Sequence, residues 1–321
     1  MNQVAESNEY DVLIVGAGPA GLNAALVLGR MRRRVLVVDT DAPAHAVSRA
    51  VHGFLAQDGT PPSDLRRVGR QQLGPYTTVE LRHVSACAAR KLDDDAFALQ
   101  LADDGWVTGR RLLLAHGMHY GLPAVTGLAE LWGTNVFHCP YCHGWEVQDQ
   151  RLAVYGSGER AVHQALLLTS LSNDVAVFCD SPTAFSIEQE RQLAAAGIDV
   201  RTEHVERIDE RDGGMHIVLH EHSPVARDAL FIQPQLALAS DLAVTLGAEL
   251  TDTGTVAIDP TGQSSVPGLY IGGDAATPVQ SVAVATGSGA RAAYAINASL
   301  LNQLPESRHD AQPPQTRTSA V

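Results

Sequence analysis

The segment from Tyr10 to Asp39 places the strongest constraint on the fold. Tyr10–Val15 is a short apolar run that predicts a buried parallel strand. A glycine-rich turn, a helical stretch over Leu22–Gly29 and a second strand over Val35–Val38 follow, and that strand ends in Asp39. This order is typical of a dinucleotide-binding unit, whose glycines let the backbone approach a pyrophosphate at a helix N-terminus. Asp39 would bind a ribose hydroxyl, and the candidate contacts in the turn are Gly16, Gly18, Pro19, Ala20 and Gly21.

A second unit of the same kind begins near residue 151. A strand over Arg151–Tyr155 is followed by the turn Gly156-Ser157-Gly158-Glu159-Arg160-Ala161, a helix over Val162–Leu171 and a strand over Val175–Phe178. Units that bind NADPH usually carry arginines after this strand to hold the 2′-phosphate. No Lys or Arg occurs from 161 to 190, and Asp180 stands there instead. NADPH is therefore disfavoured, whereas NADH binding, or a fold that holds no nucleotide, both remain open.

Two cysteines, Cys139 and Cys142, precede the second unit in the stretch His138-Cys139-Pro140-Tyr141-Cys142-His143. A Cys-x-x-Cys pair can close and reopen a disulfide, and one of its thiols often ionises near neutral pH. Half a zinc site and two buried thiols are the alternatives. Zinc would need a second pair of ligands, and the other cysteines, Cys87 and Cys179, are isolated in the sequence. We therefore favour a redox pair and expect no metal.

Further candidate ligand contacts lie in three other regions. A strand-like run over 111–117 contains Ala115, and the irregular region over 40–74 contains His52 in a loop that could cover a ligand. Near the end of the chain, a strand runs into Gly272-Gly273-Asp274, where Gly273 permits close backbone approach and Asp274 could accept from a ribityl hydroxyl. A helix over Val282–Leu301 follows, and Gln280 and Ser281 stand at its start.

Composition limits the class of protein. The 321 residues are long for one core, which favours two domains. The formal charge of −13, from 36 acidic and 23 basic residues, argues against nucleic acid or an anionic membrane as a main partner. Residues 1–9 carry no apolar signal region, and no apolar run reaches the roughly 18 residues of a membrane span. We expect a cytoplasmic protein with a disordered tail over 306–321.

The order of these units also predicts the domain organisation. Antiparallel strands are expected over 79–101, and a turn-rich linker containing Gly121, Pro123 and Gly127 separates the first unit from the cysteine pair. Strands over 198–219 and 229–232 complete the second unit, and the chain returns to the first near Pro234. The expected fold is α/β with two Rossmann-like domains: residues 1–118 and 234–321 form one, and 119–233 are inserted in it.

Three motifs in this order resemble the low-molecular-weight thioredoxin reductases: the Gly16 fingerprint, the Cys pair before a second glycine turn, and the late Gly-Asp. The similarity covers about residues 10–301. It implies an FAD domain built from both ends of the chain, an inserted NAD(P)-binding-like domain that carries the dithiol, and a homodimer. It also implies that Cys142 faces the flavin and that Cys139 exchanges with substrate.

Two departures from those reductases resemble the flavin-dependent dithiol oxidases of disulfide natural products such as gliotoxin, holomycin and romidepsin. The arginines for a pyridine nucleotide are missing, and His143 follows the second cysteine where the reductases carry an aspartate. Oxidation of a dithiol removes two protons, and neutral imidazole is a base with an ordinary pKa of about 6.5. We therefore expect His143 to act as a general base; the alternative is a helix-start residue without a proton role. His138 could assist.

The resemblance predicts an FAD-dependent oxidase that converts a small-molecule dithiol to an intramolecular disulfide, with molecular oxygen as acceptor and hydrogen peroxide as product. Two alternatives are an NAD(P)H-dependent thioredoxin-disulfide reductase and a non-enzymatic redox sensor. The sequence contains no motif that identifies the dithiol.

Overall fold

The computed structural model describes residues 9–92, 96–103, 105–211 and 213–301. The tail predicted over 306–321 lies outside the described residues. The first sheet has the order β3-β2-β1-β6-β5-β4, with one further strand, β17, beside β6. Its strands are β1 Glu9–Val15, β2 Val35–Val38, β3 Val79–Arg82, β4 Ala86–Lys91, β5 Phe97–Leu101, β6 Gly105–Leu114 and β17 Leu269–Ile271.

The first sheet is parallel where the predicted fingerprint lies and antiparallel at one side. β1 pairs in parallel with β2 and β6, and β17 is parallel to the C-terminal half of β6. β5 is antiparallel to the N-terminal half of β6 and to β4. The prediction of antiparallel strands over 79–101 is thus right for β4 and β5 and wrong for β3, which is parallel to β2. All four residues of β2 are buried, as expected for a strand covered on both faces.

Three helices accompany this sheet: α1 Pro19–Arg30, α2 Pro62–Leu73 and α7 Val282–Leu301. Helices α1 and α7 approach closely, and glycine at position 289 permits this. A Cβ atom on Gly289 would lie 2.1 Å from the Ala20 carbonyl oxygen. Helix α2 corrects the expectation of irregular structure over residues 40–74. Pro61 and Pro62 mark the start of this helix, where proline is tolerated because the first turn has no internal partner for its amide.

The second sheet is parallel in the order β11-β10-β9-β15-β8. Its strands are β8 Val136–Phe137, β9 Leu152–Tyr155, β10 Val175–Phe178, β11 Asp199–Arg201 and β15 Ala229–Ile232. Helices α4 Gly158–Leu168 and α5 Ile187–Ala195 accompany it. An antiparallel group also belongs to this region: β12 Val205–Arg211, β13 Gly214–Leu219 and β14 Val225–Arg227.

Two antiparallel strands carry the chain between the sheets. β7 Met118–Gly121 leads out of the first sheet, β16 Gln235–Leu238 leads back, and the two pair with each other. The sequence-based domain boundaries fall at the start of β7 and just before β16. Two short helices complete the described elements, α3 Pro140–His143 and α6 Leu242–Thr245. The fold is therefore α/β with two Rossmann-type units, as predicted. Among the described helices, none combines the length and apolarity that crossing a bilayer requires.

Candidate active site

The turn after β1 is built for close approach of a ligand to the backbone. Gly16 has φ +103°, and a Cβ atom there would lie 2.4 Å from the carbonyl oxygen of Ala115. A Cβ atom on Gly21 would lie 1.9 Å from the Gly16 carbonyl oxygen. Only glycine fits either place. The Gly16 amide donates to the Val38 carbonyl at 2.8 Å and so holds the turn. No side chain of the described residues caps the start of α1, which is therefore open to a ligand.

Asp39 lies at the C-terminal end of β2 and is fixed by three donors. Its Oδ1 accepts from the Ala17 amide at 2.9 Å, and its Oδ2 accepts from the Asp41 amide at 3.0 Å and from Arg70 at 3.2 Å. The carboxylate is therefore held beside the glycine turn, at the place where a dinucleotide ribose is bound in this fold.

Two cavities that share lining residues lie between the fingerprint and the cysteine pair; together we call them the channel, with its outer part at the glycine turn and its inner cavity beside Cys142. Pro19, His45 and Asp274 line both its outer part and the inner cavity beside Cys142. The predicted cofactor contacts that line the outer part are Gly16, Gly18, Pro19, Ala20, Asp39, Ala115, Gly273 and Asp274. Those that line the inner cavity are His52, Gln280 and Ser281. Gly21 does not line the channel; it allows the turn to pack against α1.

Several buried polar atoms around the channel have no hydrogen-bond partner among the described residues. Burial raises the pKa of Asp274 to about 6. Gln280 accepts from the Tyr120 hydroxyl at 3.3 Å, but its own amide nitrogen is buried without a hydrogen-bond partner. The Nε2 atoms of His45 and His116 are likewise buried and unpartnered. Buried polar groups without partners are costly, so these atoms fit a polar ligand in the channel. The glycine turn, Asp39 and these unpartnered polar atoms fit a dinucleotide cofactor such as FAD.

The cysteine pair forms a disulfide in the structure, with Cα atoms 5.2 Å apart. Cys139 precedes α3, and its carbonyl oxygen accepts from the amides of Cys142 and His143 at 3.1 and 3.2 Å. Cys142 lines the inner cavity, whereas Cys139 is not part of that lining. The two sulfurs therefore differ in what they can reach: Cys142 lines the proposed cofactor channel, and Cys139 does not.

His143 lines the same cavity as Cys142 and is held by aromatic contacts. Its ring stacks on Phe137 with centroids 4.7 Å apart and an interplanar angle of 28°. Burial lowers the pKa of His143, and the charge of His52 lowers it further, while Glu146 opposes both. In the described part of the chain, neither ring nitrogen of His143 has a hydrogen-bond partner. The imidazole is thus neutral near pH 7 with a nitrogen free to accept a proton.

His138 also lines the cavity, but burial lowers its pKa to about 4. Its ring packs against Tyr120 and Trp132, at centroid distances of 5.0 and 5.8 Å, and those two rings are 6.2 Å apart. Its carbonyl oxygen accepts from Gln164 at 2.8 Å. Such a weakly basic ring lines the cavity as part of an aromatic cluster. That His138 assists in proton transfer stays a prediction.

Several cavity residues escaped the sequence analysis, among them His45, Tyr120, Trp132 and Phe137. Each lies outside the glycine and cysteine motifs and reaches the cavity only through tertiary packing. The aromatic residues just before the cysteine pair were the one available signal, because aromatic side chains often wall a ligand site.

The second glycine turn leads to a shallower cleft at the ends of β9 and β10. Its lining includes Tyr155, Ser157, Asp180 and Thr183, and no Lys or Arg belongs to that described lining. Asp180 already accepts from the Tyr155 hydroxyl and from the Val205 amide, the latter at 2.8 Å, and lies 3.3 Å from His204. This cleft offers a phosphorylated ribose no positive charge. Among the described residues, no cluster of three His, Cys, Asp or Glu side chains could hold a metal.

Comparison with known proteins places this geometry in a family. The model of the pyridine nucleotide-disulphide oxidoreductases matches residues 10–289. The chain belongs to this family. Members related to thioredoxin reductases are FAD-binding flavoproteins, and FAD is the cofactor of this oxidoreductase, as predicted.

Individual relatives of this pyridine nucleotide-disulphide oxidoreductase share nearly its whole length. The chain is 31% identical to the thioredoxin reductase sirT of Leptosphaeria maculans, with 90% of this chain and 93% of that protein covered. It is 32% identical to the thioredoxin reductase tcpT of Claviceps purpurea, with 94% and 97% covered. The crystal structure of HlmI superposes with a TM-score of 0.87 at 37% identity, with 94% of this chain and 95% of that one covered. The predicted thioredoxin reductase-like resemblance is confirmed.

Proposed function

We propose that this protein is an FAD-dependent dithiol oxidase of natural-product biosynthesis and self-protection. It would convert a small-molecule dithiol to an intramolecular disulfide through Cys139 and Cys142, and oxygen would be reduced to hydrogen peroxide. The observation that carries the proposal is that Cys142 and His143 line one cavity, which shares Pro19, His45 and Asp274 with the cavity at the glycine fingerprint. The cleft at Asp180, which offers no positive charge, supports a donor other than NADPH.

The chemistry assigned to the protein is thiol exchange. A substrate thiolate attacks the sulfur of Cys139, so that a mixed disulfide forms, the Cys139–Cys142 bond breaks and Cys142 leaves as a thiolate. The second substrate thiol then attacks the substrate sulfur of the mixed disulfide and displaces Cys139. The products are a cyclic disulfide and a reduced cysteine pair, so two electrons have moved from substrate to protein.

His143 acts as the base that accepts protons from the substrate thiols in this exchange. Its ring nitrogens are unpartnered within the described chain, and burial lowers the pKa of the ring, so it is a neutral base at the pH where thiols must be deprotonated. When bound, FAD supplies the two-electron acceptor that restores the disulfide and allows oxygen to become hydrogen peroxide. Over the cycle, one dithiol and one oxygen molecule give one disulfide and one hydrogen peroxide.

A second candidate is an NAD(P)H-dependent thioredoxin-disulfide reductase, which the names of the fungal relatives favour. Anaerobic mixing of the holoenzyme with NADPH, with NADH and with a reduced dithiol separates the two functions. The oxidase predicts rapid loss of the flavin absorbance with the dithiol and little change with either nucleotide. Rapid bleaching by NADPH would establish the reductase instead.

Turnover in air distinguishes the oxidase from a redox sensor. A panel of reduced dithiolopyrrolones, depsipeptides and epidithio compounds should drive oxygen uptake and peroxide release over many cycles, whereas a sensor would stop after one. The homodimer and the cytoplasmic location inferred from the sequence remain proposals, which sedimentation and cell fractionation would test.

A further inference from the structure

An imidazole between two carboxylates stands at the edge of the inner cavity. His52 lies between β2 and α2, and its Nε2 is 3.4 Å from the Oε1 of Glu146, which follows the cysteine pair in the chain. Its Nδ1 is 3.7 Å from the Oδ1 of Asp58. The His52 side chain is 19% exposed and that of Glu146 40% exposed, so the contact is only partly screened by water. It joins the fingerprint region to the segment that carries the dithiol.

The backbone around His52 is held in place. The Val51 amide donates to the Thr60 carbonyl and the Gly59 amide to the Val51 carbonyl, both at 2.8 Å. Asp58 also accepts from the Gly53 amide at 2.8 Å. Because these bonds close a compact loop, the His52 ring is presented to the cavity from a fixed backbone.

The same ring faces His143. The two rings meet edge to face, with centroids 6.3 Å apart and an interplanar angle of 85°. Phe137 covers a face of the His143 ring. With Phe137 on a face and His52 nearby in a perpendicular orientation, the ring has little rotational freedom.

We propose that His52 and Glu146, in contact with each other, position His143 and set its readiness to accept a proton. They are positioning residues, because they act through His143. Glu146 would stabilise the imidazolium that forms when His143 takes a proton, and His52 would oppose that charge and keep the resting ring neutral. The role of that proton in dithiol oxidation rests on the proposed function; the electrostatic coupling itself does not.

The effect of His52 and Glu146 on His143 can be measured as a change in the pKa of the His143 ring. Burial lowers the pKa of His143 most, the charge of His52 lowers it as well, and Glu146 raises it. The other titratable groups nearby are His138, Asp58 and Asp274: burial lowers the pKa of His138 to about 4 and raises that of Asp274 to about 6. Removal of the charge of His52 and removal of that of Glu146 must therefore move the pKa of His143 in opposite directions.

The test is an NMR titration of His143 in the oxidised holoenzyme labelled at histidine. The His143 signal is assigned by its absence in His143→Asn. We expect His52→Gln to raise the titration midpoint by about half a pH unit, as for charges 6.3 Å apart in water, and Glu146→Gln to lower it. Glu206→Gln is the matched control, because Glu206 pairs with His220 at 2.7 Å and is outside the cavity lining. It should leave the midpoint unchanged.

Shifts in the same direction, or no shift in Glu146→Gln, would overturn the proposal. The flavin content of each variant, measured by absorbance, separates loss of cofactor from loss of coupling. The titration needs no turnover, so failure of the wild type to oxidise dithiols would reject the proposed function and leave the coupling to be judged by the NMR shifts. If dithiols are oxidised, the midpoint of the rate against pH should move in the same two directions.

Discussion

The buried carboxyl of Asp274 provides a prediction whose size follows from the structure. Asp274 follows β17 within the cofactor channel, and burial raises its pKa from 3.8 to about 6. That shift corresponds to about 3 kcal/mol. Because the raised pKa disfavours the ionised form in the folded state, the cost to stability is absent below about pH 4. It grows between pH 4 and 6 and is complete above about pH 7.

Replacement of Asp274 by Asn removes this ionisation. In the flavin-free protein, the free energy of unfolding of Asp274→Asn relative to wild type should therefore rise with pH, by about 1.4 kcal/mol between pH 5 and pH 8. Urea unfolding at a series of pH values measures this difference. The same variant should bind FAD more weakly, because a neutral amide is a weaker acceptor than a carboxylate.

Asp259→Asn is the control for this series. Hydrogen bonds to Asp259, first of all from the Thr261 hydroxyl, lower the pKa of that carboxyl. Its contribution to stability is present above about pH 4 and is lost only as the pH falls further, so its variant should show a constant difference from pH 5 to pH 8. A flat profile for Asp274→Asn would refute the reasoning from burial.

Three further variants test the site. His143→Ala should lower kcat/KM for dithiol oxidation by roughly 10²- to 10⁴-fold at unchanged flavin content, since it removes the general base; an unchanged pH–rate profile would exclude that role. Cys142→Ser should purify with bound flavin and show no turnover, because the disulfide cannot form; cycling at the wild-type rate would contradict the thiol-exchange path. Gly16→Ala should lose FAD, measured as the flavin-to-protein ratio, because its Cβ would lie 2.4 Å from the Ala115 oxygen.

The elements that sequence analysis predicted well are those with local signals. The strand over Val35–Val38 and the helix over Val282–Leu301 have the predicted bounds, because an apolar run or a long stretch of small residues is enough to specify them. Helix α2 was missed because its sequence is mostly polar and begins with prolines, and only Pro62 and Leu73 are buried in it. The direction of β3 was also missed, because strand pairing is set by tertiary contacts.

The cysteine pair shows the same limit at the site. The residues alone indicated a redox pair and a histidine beside it, and only the family resemblance implied that Cys142 faces the flavin. The structure places Cys142 in the cavity lining, and it shows His143 stacked on Phe137. The tertiary packing of α3 decides both facts.

The sequence by itself determined the two glycine units, the dithiol and the family, because each depends on residues adjacent in the chain. Only the tertiary structure decided which groups surround His143 and that Asp180 is already occupied by Tyr155 and the Val205 amide. The physical reason is that burial and charge depend on distance in space. His52 and Glu146 lie far apart in the sequence and share no motif, yet the packing of one loop against the dithiol segment brings them within 3.4 Å.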